Sequence, residues 1–325
     1  MNKSRILRIG LLCILVFCFL TVYIYKKVLN ERKLDKKIYS DKWSHDQTIY
    51  TNRQEYVNRL CKKFLNNSSE VEKIDLILNN RELLEHILVD SKHKVLYCYV
   101  PKVACTNWKR VFMVMIGMTK TSDILAIPPS TVHQQHYIPS LINFTSAQVQ
   151  GMLRTYTKFI FVRHPFERLV SAYRNKFEQQ YNSSKYFHNR FGRKIVKIFR
   201  NNPSPLSLLN GDDVTFAEFV AYLTSKNSVF NEHWMPINKL CEPCLVNYDF
   251  IGKYETLNVD AQYFLNYVGS DILFPRIKPT NTSSLVTKSM SQLPYNSIIS
   301  LYKIYYNDFK LFQYSLQSYL GYELE

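Results

Sequence analysis

Lys102, Thr106 and Asn107 lie close together inside the run Val95 to Met115, VLYCYVPKVACTNWKRVFMVM. One cation and two short hydrogen-bonding side chains at that spacing suit the binding of an anion, and the flanking residues say how they would be held. Val95 to Val100 is β-branched and aromatic and reads as a buried strand. Pro101 opens a loop, and Trp108, Val111, Phe112 and Met115 recur at helical spacing. A loop between the carboxyl end of a strand and the amino end of a helix offers unpaired backbone N–H groups and the positive end of the helix dipole, so the run forms a phosphate seat. It contains no glycine, which excludes the GxxxxGK[ST] loop of triphosphate-binding proteins.

The same grammar occurs a second time. Lys158 to Val162 (KFIFV) is strand-like and leads directly into Arg163 and His164; Pro165 suits a first helical turn, and Phe166, Leu169, Val170 and Tyr173 form one apolar face. Arg163 offers a two-pronged fork for a phosphate dianion, and Ser171 a hydroxyl. Two such loops side by side in a parallel sheet make a crevice at the carboxyl ends of the strands, where sheets of this kind bind nucleotides.

The chain that must position these residues has 325 residues, 46% of them hydrophobic and 14% aromatic, enough to bury one domain-sized core. Its formal charge of +16 predicts an anionic partner: a nucleotide, a nucleic acid, a membrane surface or an acidic polysaccharide. Ile9 to Tyr25 is uncharged and apolar between Arg8 and Lys26, without a small-residue cleavage site, and reads as an uncleaved membrane anchor of short span. The surplus of Lys and Arg on its C-terminal side favours a cytoplasmic body by the positive-inside rule. Glycosylation triplets at Asn66, Asn67, Asn143, Asn182 and Asn281 favour a lumenal one, which is the reading adopted. An anchored, glycosylated chain makes nucleic acid a poor partner.

These features divide the chain into a cytoplasmic tail (1–8), an anchor (9–25), a stem with helical lead-in (26–90) and a lumenal domain (91–325). Within the lead-in, Thr51 to Gln54 resembles a capping box, and a helix is expected from Val71 to Leu88. Thr119 to Asn143 reads as irregular, Asn182 to Asn210 as a polar, basic, mobile excursion, and Thr215 to Glu218 as a capping box. Tyr248 to Tyr254 reads as a strand, and helices are expected near Val259 to Val268 and Ile298 to Phe309. Five cysteines fall outside the anchor. A lone CxxC is a weak zinc signal, so Cys241 and Cys244 are expected in disulfides, with each other or with Cys61, and Cys98 as the free thiol; no metal is called for.

The motifs Tyr97 to Arg110 (YCYVPKVACTNWKR), Phe161 to Phe177 (FVRHPFERLVSAYRNKF), Phe230 to Trp234 (FNEHW), and the CEPC run followed by YDFIGKYETL resemble the Golgi carbohydrate sulfotransferases of the chondroitin 4-O and HNK-1 group, from about residue 91 onward. The resemblance implies a P-loop-like α/β fold with a central parallel sheet, a type II Golgi anchor, 3′-phosphoadenosine 5′-phosphosulfate as donor and an acidic glycan or proteoglycan as acceptor. By position it makes Pro101, Lys102, Val103, Ala104, Cys105, Thr106 and Asn107 the 5′-phosphosulfate loop. It likewise makes Arg163, His164, Pro165, Phe166, Glu167, Arg168, Leu169, Val170 and Ser171 the segment holding the 3′-phosphate.

Lys102 is then the group that neutralises charge on the breaking S–O bond. Arg168 reads as a structural ion-pair residue, and His164 as tolerated variation. The base is open among His133, His136, Glu232 and His233, with His133 first. Cys105 needs no covalent role in an in-line transfer. A catalytically inactive, membrane-anchored glycan-binding protein of the same fold is the rival reading.

Overall fold

The computed structural model describes residues 22–23, 25–27, 47–64, 69–121, 123–134, 137–276 and 282–317. The anchor expected at 9–25 lies outside them apart from Val22, Tyr23 and Tyr25, as do Cys13, Cys18, Asn66, Asn67, Asn281 and His136. Among the described residues no helix is long and apolar enough to cross a membrane. Residues Tyr50 to Glu325 form one compact unit.

Four strands form its sheet, β1 (Ile87–Asp90), β2 (Val95–Cys98), β3 (Thr157–Val162) and β4 (Phe250–Lys253), in the order β1-β2-β3-β4. β2, β3 and β4 run parallel, with Tyr97 opposite Phe159 and Phe161 opposite Gly252. β1 is antiparallel to β2 at the edge, so the sheet is mixed rather than wholly parallel and begins four residues before the expected Ser91. The helix expected across Val71 to Leu88 is three elements instead. Asn79 ends α2 (Glu70–Leu78), Asn80 caps α3 (Arg81–His86), and Ile87 and Leu88 belong to β1. An apolar run of this kind fits either period, and the pairing with β2 decides it.

The remaining main helices are α1 (Gln47–Phe64), α4 (Cys105–Met115), α5 (Ser146–Thr155), α6 (Pro165–Tyr173), α7 (Arg193–Phe199), α8 (Phe216–Leu223), α9 (Leu257–Tyr267), α10 (Thr282–Met290) and α11 (Tyr295–Leu311). α1 starts ahead of the supposed capping box at Thr51, whereas that of α8 at Thr215 and Glu218 is present. The expected excursion at Asn182 to Asn210 is largely helical, and Phe187, Phe191, Ile195 and Val196 bury its inner face.

The core around the sheet is aromatic. Tyr97 stacks on Phe159 at 4.5 Å, Trp108 lies 4.9 Å from both Phe159 and Phe161, and Phe159 lies 3.9 Å from Phe264. Gly252 is required there, because a Cβ would lie 2.3 Å from the Phe161 ring. Disulfides Cys61–Cys244 and Cys98–Cys241 tie α1 and the end of β2 to the CEPC run. Cys98 is therefore not the free thiol; among the described residues Cys105 is. Cys98 points into the core where Cys241, also fully buried, meets it.

Candidate functional site

β2 and β3 are parallel neighbours, so the chain leaves both at the same edge of the sheet and the two strand-to-helix turns lie side by side. Arginines clip them together. Arg163 donates from Nη1 to the Lys102 carbonyl at 3.1 Å and pairs with Glu167 through Nη2 at 3.2 Å, its guanidinium lying over the Tyr254 ring at 4.0 Å. Arg168, fully buried, donates from Nε to the Pro101 carbonyl at 3.0 Å, and its other nitrogens donate to the Met235 and Glu232 carbonyls. It is structural as expected, though by bonding to carbonyls rather than by a direct ion pair.

The first turn is bent to present its backbone. Lys102 and Ala104 take left-handed φ values of 71° and 55°, a conformation ordinarily left to glycine. Ala104 caps α4 without a side-chain bond, which leaves the amino end of the helix open for an anion. A glycine-free loop thus reaches the shape that a glycine-rich loop reaches cheaply.

A cavity of about 360 Å³ opens between the turns, lined by Lys102, Ala104, Cys105, Thr106 and Asn107 from the first, Arg163 and Ser171 from the second, and Asn175, Lys176, His133, His233, Pro101 and Tyr254. Among the described residues three cations line it and no carboxylate does, although Glu167 pairs with Arg163 from behind the wall. Burial, reinforced by Lys176, Arg163 and Arg168, lowers the Lys102 ammonium from its ordinary value to about 8. Burial likewise lowers Lys176. Such crowding is costly unless an anion completes it.

A second cavity of about 1210 Å³ adjoins the first, and Pro101, Cys105, His133, Asn175, Lys176 and His233 line both. Its other lining includes Arg81, Glu85, Tyr99, Lys109, Gln134, Asn143, Ser183 and Glu232. His133, exposed to the cavities, lies with Nε2 3.0 Å from Thr106 Oγ1; burial and Lys109 push its imidazole below the ordinary value, which favours the neutral ring. His233 is held down to about 3 by burial and Lys176, with Nδ1 donating to Asn231 Oδ1 at 2.7 Å. Burial would raise the Glu232 carboxyl, but the bond from His86 and the nearby His233 and Lys109 outweigh it and hold the group at about 2. His86 faces two acceptors, Glu232 Oε2 at 3.1 Å and the Glu82 carbonyl at 3.1 Å, and stacks on Tyr99 at 4.4 Å.

The remaining residues of the two motifs frame the cavities. Val103, Pro165, Phe166, Leu169 and Val170 are core. His164 and Glu167 border a different cavity of about 520 Å³ against Glu255 and Tyr314, where His164 Nε2 bonds to the Ser315 carbonyl at 3.1 Å. Sequence reasoning passed over Lys176, Lys109, Tyr254 and His86. Lys176 had a signal, since it belongs to the RHPFERLVSAYRNKF run. The one-turn π-helix Arg174 to Glu178 shifts the helix register there, so that Asn175 and Lys176 both line the cavities below Ser171.

The pattern of the sulfotransferase family matches residues 85–315. Carbohydrate sulfotransferase 11 of Rattus norvegicus is 42% identical over 285 residues, 85% of this chain and 79% of that protein. Its Danio rerio namesake is 45% identical over 249 residues, 73% and 69% of the two chains. Carbohydrate sulfotransferase 9 of Homo sapiens is 36% identical over 293 residues, 87% and 64%. No solved structure matches. With the family pattern and these relatives each extending over most of the compact unit, the chain belongs to the carbohydrate sulfotransferases of the sulfotransferase family.

Proposed function

We propose that the protein transfers a sulfo group from 3′-phosphoadenosine 5′-phosphosulfate to a sugar hydroxyl of an acidic glycan, the 4-hydroxyl of N-acetylgalactosamine in chondroitin or dermatan. The observation that carries this reading is the smaller cavity, lined by Lys102, Lys176 and the Glu167-paired Arg163 with no carboxylate among its described lining, sharing a wall with a larger, mixed-charge cavity. The donor supplies an activated sulfo group and two phosphate-bearing ends, and the smaller cavity fits both ends. The open amino end of α4 with Thr106 and Asn107 faces the 5′ end, and Arg163 with Ser171 the 3′-phosphate.

The shared wall is where the chemistry belongs. The acceptor oxygen approaches sulfur from the larger cavity, a new O–S bond forms, and the bond from sulfur to the phosphate oxygen breaks in line. Lys102 meets the charge that grows on that leaving oxygen, which is stabilisation concentrated in the transition state. His133, neutral and reaching both cavities, takes the hydroxyl proton. Anionic donor in the neighbouring cavity offsets the cations that depress the imidazole and makes it a better base at that moment. Glu232 lines only the larger cavity and, locked to His86, serves the acceptor.

The two disulfides, and the exposure of Asn143 and Asn182 in their triplets, support an oxidising lumen, consistent with a type II Golgi enzyme. Radiolabelled sulfo transfer to chondroitin, desulfated dermatan and glycoprotein acceptors tests the reading, with Lys102→Ala and Arg163→Ala as controls. Transfer to chondroitin or dermatan with sulfate on the 4-position of the galactosamine is expected. Donor-dependent thermal stabilisation with transfer to no acceptor would overturn it in favour of an inactive glycan-binding protein.

A further inference from the structure

From Gln179 to Gly211 the chain contains no acidic residue but six Lys and Arg: Lys185, Arg190, Arg193, Lys194, Lys197 and Arg200. Arg200 is consumed by Asp213 and Glu218. The other five are exposed and make no ion pair among the described residues; Arg190 leans on the Tyr186 and Phe191 rings, and Lys194 on the Asn227 carbonyl at 3.4 Å.

Their placement follows the helix they belong to. Residues 185–199 are helical throughout, with a π-turn at His188–Gly192. Phe187 and His188, Phe191 and Gly192, and Ile195 and Val196 are buried, so the pairs between them face outward: Lys185 and Tyr186, Asn189 and Arg190, Arg193 and Lys194, Lys197 and Ile198. Every outward pair therefore carries a cation, and Lys185, Arg190, Arg193, Lys194 and Lys197 form a row along one face.

The inner face of this helix is continuous with the site. Phe187 meets the His233 ring at 5.2 Å, Phe191 meets Trp234 at 4.9 Å, and the Lys176 ammonium lies over the Phe187 ring at 4.4 Å. Its amino end starts at Ser184, which donates to the Asn175 carbonyl at 2.9 Å, next to Ser183 in the wall of the larger cavity.

We propose that this outward stripe is a second binding site, which holds the length of an acidic polysaccharide beyond the sugar being sulfated. The inference rests on the acidic-glycan reading above. The carboxylates of an extended acidic chain are complementary in charge to a row of unpaired cations on a helix face, and a chain leaving the larger cavity past Ser183 meets the stripe at its amino end. Long-range attraction also raises the rate at which such a polymer finds the cavity. A membrane surface is the competing occupant for a basic face of this kind.

The test compares a chondroitin polymer with a short chondroitin oligosaccharide as acceptors, using the quadruple variant Arg190→Ser, Arg193→Ser, Lys194→Ser, Lys197→Ser and the single reversals Arg193→Glu and Lys197→Glu. The polymer KM is expected to rise about tenfold in the quadruple variant, and its steep increase with salt to flatten, from several lost surface contacts together. The oligosaccharide and donor constants should not change. The single reversals, which disturb folding least, should move the polymer KM in the same direction. An unchanged polymer KM in every variant overturns the stripe while leaving sulfo transfer intact, whereas wild-type protein inactive on both acceptors overturns the underlying reading instead. Weakened binding to phosphatidylserine vesicles with unaltered polymer kinetics would give the face to a membrane and overturn the proposal.

Discussion

The smaller cavity draws most of its lining from two adjacent strand-to-helix turns, whereas the larger one gathers side chains from segments as far apart as Arg81 and His233. The first recognises by backbone and uniform positive charge; the second mixes Arg81, Lys109 and Lys176 with Glu85 and Glu232. A sheet edge is a rigid place to bind an invariant ligand, and loops supported by such a frame are where specificity can vary. In the proposed reading the donor therefore sits on the invariant half and the acceptor on the variable half.

That contrast breaks most completely at Arg168, whose guanidinium links the first turn to the FNEHW segment through three carbonyls. Arg168→Met should lower unfolding free energy by about 3–5 kcal/mol, since buried carbonyls lose charge-assisted partners. Urea denaturation measures it, and a change under 1 kcal/mol would mean that the two halves are not held by this residue. Lys102→Ala should act in the opposite manner. It removes one of three crowded cations, so Tm should not fall, while kcat/KM drops roughly 10²–10³-fold. His133→Asn, at the shared wall, should lower kcat about 10²-fold with donor affinity little changed. If kcat holds and only the acceptor KM moves, His133 belongs to the larger cavity alone and the base lies elsewhere.

What could be read from sequence divides along the same line. The two strand-to-helix units were legible because the apolar period switches from two to 3.6 within a few residues and the polar types cluster at the switch. β1 was not, because Ile87 and Leu88 continue an apolar pattern that either period accepts and only pairing with β2 settles. Lys176 was hidden by a π-turn, and Cys98 by a partner 143 residues away. The His86–Glu232 bond joins residues 146 apart, and no local pattern announces it. Arg168 was recognised as structural since its motif is local, but the carbonyls it serves come from elsewhere in the chain.

The finest distinction between the halves is electrostatic. Burial and neighbouring cations bring Lys102 from 10.5 to about 8 in the folded protein. The unfolded chain then binds more protons between those values, so this group's contribution to stability rises with pH across that window. Donor capture runs the other way, because the anion needs the charged ammonium, and kcat/KM for the donor reports the free enzyme. It should be flat from above the His133 titration at about 4 up to about pH 8 and fall beyond it. Arginine stays charged throughout, so Lys102→Arg should lose this alkaline limb, with a lower plateau because its fork replaces a compact ammonium. Acceptor KM measured with saturating donor should show no such limb, since bound anion raises the Lys102 pKa and keeps it charged. An alkaline limb that persists in Lys102→Arg would assign the titration to Lys176 or Lys109, also lowered by burial and shared with or lining the larger cavity, and the electrostatic division between the two cavities would fail.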